Sequence, residues 1–369
     1  MLDRGVRRRF WIALAIYTVA HLYVWWRLAL PLPSPTWQVA TAIMAALAPS
    51  FPVIALLRHR LGRRRGRSLL LVGYVWFGQL IYLLLAALAC HVAVGLGGDP
   101  GRMAQVWTAI AIAVVVAGLV NVALGPRVRR VHLALPRLPR ASYTIVQLTD
   151  VHVGTLIGRE FVETLVRRVN AVKPDLIVIT GDLVDGPLAD LRPHVEPLRD
   201  LRARDGVYAV TGNHEYYWNV EPWLLHLESL GIRILRNEHV TVANTLVLAG
   251  VDDASFGEDV PRAVAGRPAA VLRGRRVEGL PLVLLAHHPR TVRRAIAAGV
   301  DLQLSGHTHG GQMLPWGWLA RIWDPVVSGL RRFGDTALYV SDGTGYWGPP
   351  LRVGTRCEIT VVTARPPAA

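Results

Sequence analysis

Leu302-Gln303-Leu304-Ser305-Gly306-His307-Thr308-His309-Gly310-Gly311-Gln312 is an alternating apolar and polar run that passes into a glycine-fenced loop holding two histidines. It reads as a β-strand ending in a tight turn, with two imidazoles presented at the tip. Imidazole binds first-row transition metals, and the flanking glycines let backbone approach an ion where a larger side chain would clash. A His-x-His pair alone is commonly structural. Its meaning depends on whether other strands end in the same way.

Four further strands do end in polar loops. Ile145-Val146-Gln147-Leu148 leads to Asp150-Val151-His152, and Leu176-Ile177-Val178-Ile179 leads to Gly181-Asp182-Leu183-Val184-Asp185. Val207-Tyr208-Ala209-Val210 precedes Gly212-Asn213-His214-Glu215, and Leu282-Val283-Leu284-Leu285 precedes His287-His288. Helical patterns at Arg159–Val172, Pro193–Leu201 and Glu221–Leu230 separate the early strands, and strands at 337–341 and 358–362 follow. This alternation predicts a layered α/β domain starting near Tyr143. Open α/β sheets bind ligands beyond the carboxyl ends of their strands, so the five loops can converge. Carboxylates, imidazoles and one amide form a mixed oxygen and nitrogen set, which suits Mn, Fe or Zn; Ca or Mg would favour oxygen alone.

The part before this domain has a different character. Apolar runs at about 10–30, 37–57, 69–94 and 104–125 each approach the ~20 residues a helix needs to cross a bilayer. They predict an all-α membrane unit, residues 1–125, of about four transmembrane helices, although Pro49 and Pro52 interrupt the second run. Trp25, Trp26, Trp37 and Trp107 lie near span ends, where tryptophan anchors at the interface.

The net charge of +15 is concentrated there as well. Residues 1–140 hold 17 of the 41 basic residues and only two acids, Asp3 and Asp99, while the remainder balances at 24 of each sign. Arg4, Arg7, Arg8 and Arg9 precede the first run, six arginines lie between Arg58 and Arg67, and Arg127, Arg129 and Arg130 follow the fourth. The other two connections are nearly uncharged. The positive-inside rule then predicts both ends and the α/β domain on the cytoplasmic side, and with Lys173 the only lysine, which reads as the coding bias of a GC-rich bacterial genome, the expected location is the bacterial inner (cytoplasmic) membrane, multi-pass. Topology and contact with anionic lipid account for the basic excess, and no nucleic-acid partner is expected. Arg7-Arg8-Arg9-Phe10 resembles a twin-arginine export signal, but no small-residue cleavage site follows it and three more apolar runs do. Residues 126–142 read as a basic, proline-containing linker along the membrane surface, and 143–369 as the α/β domain. Cys90 and Cys357 offer no disulfide framework and are expected to be free thiols.

The five motifs, Asp-x-His, Gly-Asp-x-x-Asp, Gly-Asn-His-Glu, a His after a strand and Gly-His-x-His, together resemble the calcineurin-like metallophosphoesterase superfamily. Gly310-Gly311-Gln312, Tyr339 to Gly345 and Pro350-Leu351-Arg352 further resemble its bacterial membrane-anchored branch. That branch often has Arg where this chain has Asp342. The resemblance implies a four-layer α/β/β/α sandwich with a binuclear centre of two divalent transition metal ions. One ion would take Asp150, His152, Asp182 and His309; the other would take Asp182, Asn213, His287 and His307, with Asp182 shared. His287 is preferred to His288 because Pro289 completes the family's His-x-Pro pattern. His214 would be catalytic, stabilising charge or protonating the leaving oxygen. Two ions activate a shared water for in-line attack at phosphorus.

The implied function is a metal-dependent phosphoric ester hydrolase held at the membrane, with lipid-linked phosphoesters among its candidate substrates. A pyrophosphohydrolase of a nucleotide-linked lipid is an alternative, and a catalytically silent scaffold is the non-enzyme alternative. Asp185, Glu215 and Asp253 are expected to support or cap the site, and His194, His226 and His239 to be solvated. Met313 to Phe333 carries Trp316, Trp318 and Trp323 directly after the metal-binding loop. This segment either completes the domain core or forms an apolar lip for a lipid tail.

Overall fold

A computed structural model describes residues 4–50, 63–265, 271–272, 275–276, 279–324 and 326–367. The chain divides into two compact units, Met1–Ala123 with Gly348–Val353, and Leu124–Trp347 with Gly354–Ala369.

The first unit is helical: α1 (Arg4–Val24), a π-helical turn at Trp25–Ala29, α2 (Thr36–Leu47), α3 (Arg63–Gly95) and α4 (Pro100–Ala123). Phe10–Ala29, Gly66–Gly95 and Pro100–Ala123 are long and apolar enough to cross a membrane. The expected second span, 37–57, is represented by α2, whose 12 residues reach about 18 Å at 1.5 Å per residue. That is short of a ~30 Å hydrocarbon core. Residues 51–57 of that span, and 58–62 of the arginine-rich connection, lie outside the described residues. Ile16, Val19, Val92 and Val120 are exposed along the three long helices, as lipid-facing side chains would be. Polar atoms pair within the unit: Trp76 Nε1 donates to His21 Nε2 (3.0 Å) and Trp25 Nε1 to Thr41 Oγ1 (2.8 Å).

The second unit is a sandwich of two six-stranded sheets. In the first, β1 (Arg127–Ala134), β14 (Glu358–Arg365), β2 (Tyr143–Leu148), β3 (Leu176–Thr180), β4 (Val207–Val210) and β5 (Arg233–Ile234) are neighbours in that order. The second runs β12 (Gly329–Phe333), β13 (Thr336–Val340), β11 (Leu302–Ser305), β10 (Leu282–Leu285), β7 (Leu246–Gly250) and β6 (Glu238–Val242). A separate hairpin pairs β8 (Val271–Leu272) with β9 (Arg275–Arg276). Strands β2 to β5 are mutually parallel, as are β7, β10, β11 and β13, so their carboxyl ends carry the motif loops to one edge of each sheet.

Ile145, Leu176 and Val178 of one sheet share a buried cluster with Leu248, Val283 and Leu304 of the other. Outside the first sheet lies α5 (Arg159–Val172), whose Val162, Leu165, Val166 and Val169 are buried at helical spacing. It stops at Lys173, in the left-handed region at φ 54°, just before Pro174. Trp223 of α8 (Val220–Ser229) joins the same layer, together with α6 (Leu188–Val195), and the short α7 (Asn213–Tyr217) follows β4. Outside the second sheet, Val260 of α9 (Val260–Ala263) and Ala295 of α10 (Val292–Ala297) pack with Ala249 and Leu284. The result is α/β/β/α.

Two local expectations change. The first half of the linker, Arg127–Ala134, is an edge strand parallel to β14 and belongs to the second unit. Its Val131, Leu133 and following Leu135 alternate onto the inter-sheet core, a period of two that the preceding Arg127, Arg129 and Arg130 obscure. The helix expected at Pro193–Leu201 is instead α6 followed by a 3₁₀ turn at Glu196–Asp200, so Pro193 lies inside α6.

Candidate metal centre

The loops beyond β2 and β3 continue the sheet's hydrogen bonding past the strand ends. Asp150 N donates to Gly181 O, His152 N to Asp182 O and Val153 N to Leu183 O, at 2.9 to 3.1 Å. Asp150, His152, Asp182, His307 and His309 all take positive φ, between 51° and 70°. Such conformations cost energy in non-glycine residues and gather at functional sites, where surrounding bonds hold them. Asp150 is held by both backbone and side chain: its carboxylate accepts His307 N at 3.0 and 3.1 Å and Thr149 Oγ1 at 2.8 Å. Gly306 must be glycine here, because a Cβ would collide with Thr149 Oγ1 and the Asp150 carboxylate. Gly212 likewise leaves space that the Asp182 carboxylate fills.

Six of the seven expected ligands fall into two groups. Asp150, His152 and His309 each offer an atom within 4.8 Å of the others, and Asp182, His287 and His307 do the same. His152 Nε2 lies 3.0 Å from His309 Nε2, and His309 Nε2 lies 3.4 Å from Asp150 Oδ1. In the other group, His287 Nε2 is 3.2 Å from Asp182 Oδ2 and 3.3 Å from His307 Nδ1. Asp182 Oδ2 is also 3.9 Å from His152 Nε2, which places that oxygen between the groups. The seventh, Asn213, is buried at the start of α7. Its Oδ1 has no hydrogen-bond partner among the described residues.

These residues fit metal. An unpaired buried amide oxygen costs about 1–3 kcal/mol, and two imidazole nitrogens at hydrogen-bond distance need a proton or a cation between them. Burial pushes His152 and His307 down to about 3, which favours the neutral, lone-pair form that ligates. For His287 burial also acts downward, but the Asp182 carboxylate outweighs it and raises the imidazole to about 10. Burial would raise Asp150 and Asp182; the surrounding imidazoles hold both below the usual carboxylate range.

His287 and His288 diverge. His287 Nδ1 pairs with Thr180 O at 2.8 Å and so turns Nε2 to Asp182. His288 Nε2 faces Asp253 Oδ2 at 3.0 Å, off the hydrogen-bond line. His214 sits beside the first group, its ring 4.6 Å from that of His152 and its Nε2 4.0 Å from Asp182 Oδ2. Nδ1 is held by Asp185 Oδ1 at 3.1 Å, an oxygen that also accepts Trp218 Nε1 at 3.1 Å. Burial lowers the His214 pKa, but Asp185 and Asp182 more than restore it and leave it raised. Asp185 also lies within ligand distance of His152 and His214. The partnership of Asp185 with His214 is not legible in the sequence; the only signal is a second acid three residues after Asp182.

Glu215 is the hub of the loops. Its carboxylate accepts Gly212 N at 2.7 Å, Leu183 N at 2.8 Å and Asp182 N at 3.0 Å, joining the β3 and β4 loops. Burial and the Asp182 charge push Glu215 up to about 7 while those donors pull it back. Glu215→Ala orphans four buried donors, Val184 N at 3.3 Å included, and is expected to cost about 4 kcal/mol, each donor contributing about 1 or more. Thermal unfolding followed by intrinsic fluorescence reads this as a lowered midpoint; an unchanged midpoint would remove Glu215 from this role.

Asp342, where the branch often has Arg, is buried and lies 3.7 Å from Arg129 Nη1 of β1. Of the histidines expected to be solvated, His226 is buried, His194 accepts Arg159 N at 3.0 Å, and His239 Nδ1 pairs with Ala263 O at 2.8 Å.

The family profile described as calcineurin-like phosphoesterase matches residues 143–311. A protein of Danio rerio described as a transmembrane protein with metallophosphoesterase domain is 38% identical over 287 residues, 72% of this chain and 64% of that protein. Its Bos taurus namesake is 40% identical over 268 residues, 66% of this chain and 58% of the relative. The chain thus spans less than two thirds of both. An uncharacterized metallophosphoesterase of Aquifex aeolicus is 36% identical over 242 residues, covering 65% of this chain and 92% of that relative.

Proposed function

The chain belongs to the calcineurin-like metallophosphoesterase family, and from that premise we propose that it is a membrane-anchored, binuclear phosphoesterase. The observation that carries the proposal is the position of Asp182 Oδ2 between two buried Asp/His groups. Asp150, His152, Asp182 and His309 would hold one divalent ion, and Asp182, Asn213, His287 and His307 the other. When bound, the pair would supply Lewis acidity and charge neutralisation at the phosphoryl group during in-line attack by water. The donor set suits Mn, Fe or Zn.

The protein's own groups orient and move protons. Asp185 accepts the Nδ1 proton of His214, which fixes the tautomer and leaves Nε2 directed toward the centre. From there Nε2 donates to the leaving oxygen when protonated. Asp150 and Glu215 keep the loops in register through backbone N–H groups, so the donors need no rearrangement when charge develops. The three long apolar helices and the arginine asymmetry support a multi-pass inner-membrane protein with this domain on the cytoplasmic side.

Full-length protein purified in detergent and loaded with Mn is expected to hydrolyse a generic aryl phosphate, to lose turnover on chelation and to regain it when Mn is returned. Protein that retains two equivalents of metal yet shows no turnover on mono- or diesters would support the scaffold alternative and sink the enzymatic reading.

A further inference from the structure

The segment that follows the metal-ligand loop turns outward instead of completing the core. In α11 (Trp316–Ala320) Gly317 is the buried residue, while Trp316 and Trp318 are 66% and 64% exposed. The next turn leaves Ile322 and Trp323 69% and 72% exposed. Four large exposed apolar side chains within eight residues are a concentration of the kind that marks a contact surface.

Beside the patch lies a cavity of about 480 Å³ lined by Arg290, Arg293, Arg294 and Arg321, with Ile322 and Trp323 on the apolar side. Glu258, also in the lining, neutralises Arg294 at 2.8 Å and accepts Thr291 Oγ1 at 2.9 Å. Asp324, the other acid of the lining, has its pKa raised by burial and meets Arg290 only through longer-range attraction. Arg290, Arg293 and Arg321 have no carboxylate within ion-pair distance among the described residues. Three unpaired guanidinium groups around one cavity are a receptor for an anion, because each offers forked donors that match phosphate oxygens.

We propose that this cavity and the tryptophan turn bind an anionic phospholipid, its phosphate on Arg290, Arg293 and Arg321 and an acyl chain along Trp316, Trp318, Ile322 and Trp323. The proposal rests on reading the chain as a membrane-held phosphoesterase and names the class of molecule that reaches that domain. A nucleotide would share the phosphate chemistry, but a base needs one aromatic face, and here three exposed tryptophans and Ile322 lie within eight residues, of which only Ile322 and Trp323 line the cavity. Tryptophan favours the bilayer interface, arginine is drawn to anionic headgroups, and the chain's apolar helices keep the domain within reach of lipid.

The test uses the full chain in phosphatidylcholine nanodiscs doped with a diazirine-bearing phosphatidylglycerol or its phosphatidylcholine counterpart, with crosslinked peptides mapped by mass spectrometry. The anionic probe is expected to label 313–324 at least about tenfold more than the neutral one, since each arginine near the surface contributes about 1 kcal/mol. The R290Q/R293Q/R321Q variant is expected to lose that preference, while labelling of the apolar helices, present in every sample, stays constant. Equal labelling by both probes, no labelling in 313–324, or displacement of the lipid by excess ADP overturns the proposal, and the comparison in unsubstituted protein requires no variant to fold. Aryl phosphate hydrolysis in the same nanodiscs reports on the metal centre separately. Turnover without selective labelling overturns only the lipid site, whereas selective labelling without turnover overturns only the catalytic reading.

Discussion

Asp182→Asn is expected to weaken metal binding at the centre and to lower aryl phosphate turnover by about 10³-fold or more, the scale of losing a principal charge-stabilising group. The amide keeps an oxygen that can accept His214 N, which Asp182 Oδ1 now does at 2.9 Å, so the loop fold should survive. What disappears is the anionic Oδ2, 3.2 Å from His287 Nε2 and 3.9 Å from His152 Nε2, and an N–H donor can take its place. A donor facing two ligand groups repels cations from both. Metal content by mass spectrometry should therefore fall from two equivalents to one or fewer, together with activity. Two retained equivalents with normal turnover would show that Asp182 does not bridge.

His214→Gln is expected to behave differently: full metal content, with turnover reduced by about 10²- to 10⁴-fold, as for loss of a positioned acid. The deficit should depend on the leaving group. Nitrophenolate departs without a proton and should be affected least, while an alkyl phosphate, whose oxygen must be protonated, should be affected most. A uniform loss across leaving groups would assign His214 to charge stabilisation instead of proton donation. Asp185→Asn, which keeps an oxygen near Nδ1 but weakens its hold on the tautomer, should show the same leaving-group trend at about 10- to 100-fold.

Much of the site is legible in the sequence because it is local. A strand followed directly by Asp-x-His, Gly-Asp or Gly-His-x-His is written within ten residues, and short apolar runs bounded by turn residues separate the strands from the longer helical patterns. Apolar length and arginine placement mark the N-terminal unit in the same way, although the second run is described only as far as residue 50, with the 12-residue helix Thr36–Leu47 inside it. Edges are harder. Arg127–Ala134 reads as a linker because Leu133 is its one buried residue, while Arg127 and Arg129 take the same face ahead of it and hide the apolar stripe.

The motifs and their order are properties of the sequence by itself, and with them the family and the layered α/β class. Only the tertiary structure decided how the donors group, since His307 and Asp150 meet across 157 residues of chain. It likewise turned His287 inward and His288 to Asp253, gave His214 its partner in Asp185, made Glu215 the tie between two loops, and left Trp316 to Trp323 at the surface. The physical reason is the same in each case. Periodicity and turn chemistry act between near neighbours, whereas ligand geometry, ion pairing and burial depend on which distant strands the two sheets bring side by side.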